Sequence, residues 1–427
     1  METRRPRIGV IGTGVAGLGV AWNLRQIADI ALIEQDQRVG GHTNTVTVDE
    51  EGQAVPIDTG FIVFNKVTYP NLVKLFTELD VPIKPSEMSF SVQHVPSGLE
   101  YNGMGINKVF AQRRNLLRPK FHRMLGDVTR FFRLAKESLA DPAAEDLTVR
   151  QFAAKHGLGN EFLEWYLIPM SSAVWSTLPS GVLDFPSRSL HRFFFNHGFL
   201  GVDTHHAWFT VDGGAKTYVD RILGVLGPAR VRAKVVNVSE QEDAVCVRVE
   251  GGEELRFDRV ILACHGDQSL AMLAEPTDLQ RRLLSPFGYQ HNHATLHTDA
   301  SVMPKRRLAW ASWNYRIEAS DATGDRPTTH YWMNALQGVS KKRNYFVSIN
   351  GRSLVDPSRI LYETDYEHPV FTLEAMRAQA ELRKINQVAP TQRVFFCGSY
   401  FRYGFHEDAY ASAVECAEDV RRGLSGG

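Results

Sequence analysis

Gly12, Gly14 and Gly17 stand as G-x-G-x-x-G between the apolar run RIGVI (7–11) and a segment, AWNLRQI, with helical spacing. That spacing suits a dinucleotide. The first glycine permits a tight turn, the second lets backbone approach a pyrophosphate, and the third lets helix and strand pack closely. Val15 and Ala16 fall at the start of the helix, where free N–H groups and the positive dipole end favour phosphate. Glu34, with Gln35 behind it, closes the next apolar run about 20 residues on. An acid there accepts hydrogen bonds from a ribose diol and argues against a 2′-phosphate, which disfavours NADP.

Two further glycine sites separate a flavin from a nicotinamide. In EQDQRVGGHTNTV, Arg38, Gly40, Gly41 and His42 follow the acid at once. A nicotinamide dehydrogenase has no need of a second double-glycine turn there. FAD does, because its pyrophosphate and ribityl chain require another close backbone approach; the alternative is a simple surface turn. In CGSYFRYGFHEDAYASAVECA, Gly398 follows a buried strand and small residues open a helix. The N-terminus of that helix can face the electron-rich pyrimidine edge of a reduced flavin, or the helix can simply be close-packed.

Other residue groups leave two readings each. His291, His293 and His297 crowd the stretch YQHNHATLHTD. Alternate residues of a strand share a face, so the three can line one side, one of them as proton carrier, or all can be hydrogen-bonded structural residues. Phe185, Phe193, Phe194, Phe195, Phe199, Trp208 and Phe209 either pack a core or wall an apolar substrate tunnel. Residues 108–136 hold nine Lys or Arg against one acid, Asp127. They form either a solvated helix face or a surface that touches anionic lipid headgroups. His205 and His206 have no third ligand at metal spacing, so no metal is expected.

The elements that must position these groups are readable from periodicity. RIGVI, GTGVAGLG and ALIEQ make a βαβ unit. Leu72, Leu75, Phe76 and Leu79 follow i, i+3, i+4, i+7, and Pro119 opens a helix with Phe121, Met124, Leu125, Val128 and Phe132 on one face. Residues 66–204 therefore read as mostly helical and too long for a connection. Strands return at RVRAKVVNVS, AVCVRVE and DRVILAC, and 289–350 alternates as a mixed sheet. RVFFCGS is a last strand and 407–424 a last helix. The expected division is a discontinuous cofactor domain (1–65, 205–275 and 385–427) and a substrate domain (66–204 and 276–384).

Bulk composition excludes several classes. Lys plus Arg equals Asp plus Glu at 48 each over 427 residues, so no global field attracts nucleic acid. No run approaches the ~18 apolar residues of a membrane span. The basic N-terminus leads into a strand rather than a signal peptide. Cys246, Cys264, Cys397 and Cys416 lie far apart without C-x-x-C, as reduced thiols of a cytoplasmic protein do.

The residues of 7–61, 211–268 and 393–417 together resemble the flavin-containing amine oxidase superfamily, which includes phytoene desaturases and protoporphyrinogen oxidases. The middle section matches loosely. LHTDASVMP and ASWNY are most similar to a bacterial branch of FAD-binding proteins associated with methylated or cyclopropane fatty acids. The resemblance implies an α/β fold, with a Rossmann-like FAD-binding domain of the GR2 flavoprotein type and a mixed-sheet plus helical substrate domain. It assigns Gly12, Gly14 and Gly17 to the pyrophosphate, Glu34 to the adenosine ribose, and Gly41 and His42 to the pyrophosphate and ribityl region. Asp58, Thr59, Gly60 and Phe61 match the segment under the isoalloxazine, DGGAKTYVDRIL (212–223) the re-entry into the cofactor domain, and Val235 the adenine contact. Gly398, Ser399, Asp408 and Ala409 match the last strand and helix.

The chain departs from that pattern in four places. His42 stands where Arg is usual, Ser399 where an acid is usual, and Asp408 where Gly is common. YQHNHATLHTD lacks the lysine that many amine oxidases carry on the comparable strand. No cysteine stands in the stretch before the last helix where some relatives attach flavin, so FAD is expected to be non-covalent. The implied activity is hydride removal from an apolar or lipid substrate, possible as desaturation of a modified acyl chain, with amine oxidation or redox-neutral isomerisation as alternatives. The expected location is cytoplasmic, with the inner membrane face as an open contact.

Overall fold

The strand Arg7–Ile11 is buried along nearly its whole length and pairs in parallel with Asp29–Ile33 on one side and Arg259–Leu262 on the other. Val394–Phe396 extends the sheet beyond Arg259–Leu262, giving four parallel strands. A computed structural model describes residues 4–141, 143, 145, 147–175, 179–201, 204, 206–318, 328–389 and 391–425. The helix Val15–Leu24 is buried at every residue but Asn23, because the sheet covers one side and the last helix, His406–Ser425, covers another. Gly19 permits that contact: a Cβ there would fall 2.6 Å from the Tyr410 ring. A helix buried all round needs no amphipathic stripe, which is why GLGVAWNL reads as uniformly apolar.

All four strands end on the same edge of the sheet, and the chain leaving each one turns into the same crevice. In open parallel sheets that edge is where ligands bind. An antiparallel meander, Val235–Glu240, Val245–Val249 and Glu254–Phe257, flanks it. A hairpin, Thr45–Glu50 with Gln53–Asp58, also lies in this part of the chain.

A seven-stranded mixed sheet carries the opposite wall. Its spatial order is Ile360–Val370, Gly288–His297, Phe346–Ile349, Thr328–Trp332, Trp313–Ile317, Phe90–His94 and Leu99–Asn102. Residues 66–204 are mostly helical, as expected, but the last two strands of this sheet interrupt them. FSVQH and LEYN form a hairpin whose strands are too short for periodicity to reveal, and Phe90–His94 joins Trp313–Ile317 in parallel. The stretch LAWASWNYR likewise starts as a helical turn, Arg307–Ala309, before its strand begins at Trp313.

The helix Pro119–Ala140 begins with proline at its first turn, where no N–H is needed. It ends at Asp141, which precedes Pro142 in sequence and is extended, as pre-proline residues prefer. This helix has two apolar stripes. Phe121, Met124, Phe131 and Ala135 are buried in the core, while Leu125, Val128 and Phe132 face a large cavity that Met124 also lines.

Candidate active site

That cavity has a volume of about 1510 Å³ and runs from the crevice of the parallel sheet to the mixed sheet. A single small ligand needs about 300–1,000 Å³, so there is room for a dinucleotide and a second molecule.

At the crevice end, Gly12, Gly14, Val15, Ala16, Glu34, Gln35, Arg38, Gly41, His42, Gly60, Phe61, Val235, Gly398, Ser399 and Ala409 all line the wall. The glycines fit a dinucleotide physically. A Cβ on Gly14 would meet nothing within 4 Å, so bare backbone faces open space, and Gly12 has the positive φ of +95° that its turn requires. Glu34 is buried. One of its oxygens accepts from the Thr13 N–H at 2.9 Å and from the Thr13 hydroxyl, and the other accepts from the Asp36 N–H at 3.1 Å. The carboxylate is thus fixed at the strand end with acceptor capacity left for a ribose diol.

Three expected cofactor contacts are not on the wall. Gly17 acts through packing, since a Cβ there would fall 1.9 Å from the Gly12 carbonyl oxygen. Thr59 is buried and holds Tyr366, its hydroxyl 2.7 Å from the phenol oxygen. Asp408 turns back to accept from the Phe405 N–H at 2.9 Å, and burial pushes its carboxyl up to about 7. Its neighbour Glu407 accepts from the N–H groups of Asn71 and Leu72, capping another helix, Pro70–Glu78. The acids that open the last helix thus point away from the cavity.

The three strand histidines are not brought together. His291 lines the cavity, with Nε2 3.0 Å from Glu367. His293 lies outside it, held between Asp365 at 2.8 Å and Glu363 at 3.0 Å. His297 is buried against the Ser348 hydroxyl at 2.7 Å, with its pKa lowered by burial to about 4. Six residues of extended chain span roughly 20 Å, so a shared face does not mean a shared site. His205 lies outside the described residues; His206 bonds the Asn196 carbonyl at 2.9 Å. No metal-ligating cluster occurs among the described residues.

His42 and Phe61 converge with groups that the sequence did not single out. His42 stacks on Tyr366 with ring centroids 4.9 Å apart and meets the edge of His368 at 5.2 Å. His406 lies flat on Phe61 and shares a hydrogen bond with the Tyr218 hydroxyl at 2.8 Å. His265 stacks on Tyr289 and stands 3.1 Å from Glu367. Desolvation lowers His42 well below the ordinary imidazole range, His368 to about 4 and His406 to about 3. Burial thus favours the neutral form of all three, His42 included, where the resemblance expects an arginine. Cys264 also lines the wall, but burial raises its thiol to about 12 and keeps it protonated.

The mixed-sheet end is an apolar chamber. Phe193, Phe199 and Trp208 from the aromatic run line it, with Met124, Val128, Phe132, Met170 and Trp175. Phe194 is core instead, and Phe195 is exposed. Around these aromatics the polar groups are uncharged: burial raises the Tyr69 and Tyr166 phenols and lowers His197 to about 4. The acids that the mixed sheet brings to the cavity, Asp365 and Glu367, come from its edge strand Ile360–Val370. Lys234 is the lysine among the described lining residues, at the strand beside Val235 and 3.4 Å from Glu250.

A doubly wound crevice with glycine-bared backbone, joined to an apolar chamber, defines a dinucleotide-dependent redox enzyme. The family model for flavin containing amine oxidoreductase matches residues 15–355. The chain belongs to that family; it is an FAD-dependent oxidoreductase. No curated protein sequence matches it. Among solved structures it is similar to putrescine oxidase bound to putrescine (15% identity, 97% of this chain and 99% of that one, TM-score 0.67). It is similar also to a CLA-producing fatty acid isomerase from P. acnes (14%, 97% and 98%, TM-score 0.68). A third is cyclohexylamine oxidase from Brevibacterium oxydans IH-35A (16%, 98% and 100%, TM-score 0.67). At these identities the likeness is one of fold. No helix among the described residues is long and apolar enough to cross a membrane.

Proposed function

We propose that the enzyme removes hydride from carbon in an apolar substrate, a fatty acyl chain or a methylated relative, using non-covalent FAD. The observation that carries this reading is the apolar wall around Phe132, Trp175 and Phe193, whose polar neighbours Tyr69, Tyr166 and His197 are neutral. An ammonium substrate would lose its hydration there with no free carboxylate to compensate. Of the acids on the cavity wall, Glu34 is engaged with Thr13, Asp365 with His293, and Glu367 with His265 and His291, while Asp36 lies two residues beyond Glu34 at the crevice end.

When bound, FAD supplies a two-electron acceptor for hydride. The residues of the chain would do the rest. Gly12, Gly14 and Gly41 would hold the pyrophosphate, Glu34 the ribose, and Val235 the adenine. The apolar wall would orient the chain and exclude water. The Cys264 thiol, kept protonated by burial, is a poor nucleophile for covalent attachment. In this reading 1–65, 205–275 and 385–427 form the cofactor half, and 66–204 with 276–384 the substrate half.

A second reading, a redox-neutral double-bond shift, is supported by the same chamber and by the likeness in fold to a fatty acid isomerase. Anaerobic mixing with fatty acids and with amines tests both. Bleaching of the flavin absorbance by fatty acids supports dehydrogenation, and a rearranged product without net bleaching supports isomerisation. Bleaching by amines alone overturns the acyl assignment.

A further inference from the structure

The chain segment that ends at the cavity wall also carries the most exposed apolar side chains near it. Met104 and Ile106 line the cavity yet are 42% and 81% exposed, which marks an opening. Leu116 and Leu117, at 51% and 88%, stand close by in sequence. These residues belong to one unit. Arg113 of the turn Arg113–Leu117 donates to the carbonyls of Asn107 and Phe110, which belong to or follow the short helix Gly105–Val109. The His122 ring bonds the Leu116 carbonyl at 2.9 Å, and Phe110 packs on Phe121 of the long helix.

The charge on this unit is one-sided. Lys120 within this unit pairs with Glu161, and farther along the long helix Arg130 and Arg133 pair with Asp127 and Glu137. Lys108, Arg113, Arg114, Arg118 and Arg123 form no ion pair with an acid among the described residues. Arg113, Arg114 and Arg118 bond backbone carbonyls, which leaves their charge uncompensated. Exposed leucine and isoleucine interleaved in sequence with cations that lack an ion pair match an interfacial surface: the apolar side chains enter the acyl boundary and the cations meet headgroup phosphates.

We infer that residues 104–123 dock the cavity mouth on a bilayer of anionic lipid. Apolar area and positive charge coincide at the opening, so an acyl chain would pass from lipid to chamber without crossing water. A solvated helix face would not need four exposed apolar side chains at that place.

The test is co-sedimentation of the full-length, FAD-loaded protein with phosphatidylcholine vesicles, with and without phosphatidylglycerol. Binding should require the anionic lipid and weaken with salt. Lys108→Gln with Arg123→Gln should lower the affinity roughly thirtyfold, from about one kcal/mol per charge. Leu117→Ser should lower it roughly tenfold through loss of apolar burial. Leu117 is not on the cavity wall, so flavin content and thermal midpoint should not change in that variant. Sedimentation that ignores anionic lipid, absent binding, or wild-type binding by these variants overturns the inference. Vesicle binding is read without turnover, so a negative result leaves the proposed reaction untouched.

Discussion

Gly17 faces the carbonyl oxygen of Gly12 so closely that a Cβ on it would fall 1.9 Å away, while a Cβ on Gly14 would meet nothing within 4 Å. The same motif therefore serves packing at one position and ligand access at another. Gly17→Ala should destabilise the protein by about 1–3 kcal/mol or more, because backbone must move. Gly14→Ala should leave the flavin-free protein within about 0.5 kcal/mol of wild type and weaken FAD binding at least tenfold, roughly. Urea unfolding and flavin fluorescence titration separate the two effects. Equal loss of stability in both variants would contradict this division of labour.

Asp408 gives a pH-dependent prediction. Burial raises its carboxyl from 3.8 to about 7 against the opposing hydrogen bond from Phe405. Between those values the folded protein keeps a proton that the unfolded chain has released. The stability this group contributes is thus fully present below 3.8 and is lost as pH rises through 7. Asp408→Asn cannot ionise, so its advantage over wild type should grow across that window by up to about 4 kcal/mol. Unfolding curves at several pH values check this. An offset independent of pH would refute it.

The buried histidines act with the opposite sign. His406 is lowered from 6.5 to about 3 and His368 to about 4. Their contribution is complete above 6.5 and is lost as pH falls toward those values, because the unfolded chain takes up protons that the folded one refuses. His406→Gln can keep a hydrogen bond to Tyr218 without titrating. It should flatten the acid side of the stability profile by about 1.4 kcal/mol per pH unit between pH 6 and pH 4, approximately. A slope equal to wild type would show that His406 is protonated in the native state.

The glycines were legible because their work is local: a turn, a close approach and a helix start are all set within a few residues of Gly12 and Gly41. Glu34 followed from the length of one βαβ unit. His265, Tyr366, His368 and His406 were not legible, because each reaches the cavity from a different strand or helix end through tertiary packing. His293 and His297 were overread for a related reason. Alternation gives the face of a strand but not the position of the pocket along it, and Glu363, Asp365 and Ser348 claim those two rings. The direction of Asp408 was not legible, since a donor in the turn before its own helix decides it.

Val128 tests the chamber itself. It lies with Leu125 and Phe132 on the second apolar stripe of Pro119–Ala140, while Phe121, Phe131 and Ala135 anchor the helix from the other face. Val128→Phe adds volume on the cavity side and leaves that anchor intact. If the chamber holds an acyl chain, the variant should keep its flavin and its activity on short chains. KM for long chains should rise on the order of tenfold, since overpacking costs about 1–3 kcal/mol. Steady-state kinetics over a series of chain lengths reads this directly. An unchanged length profile, with flavin content equal to wild type, would place the substrate somewhere other than this wall.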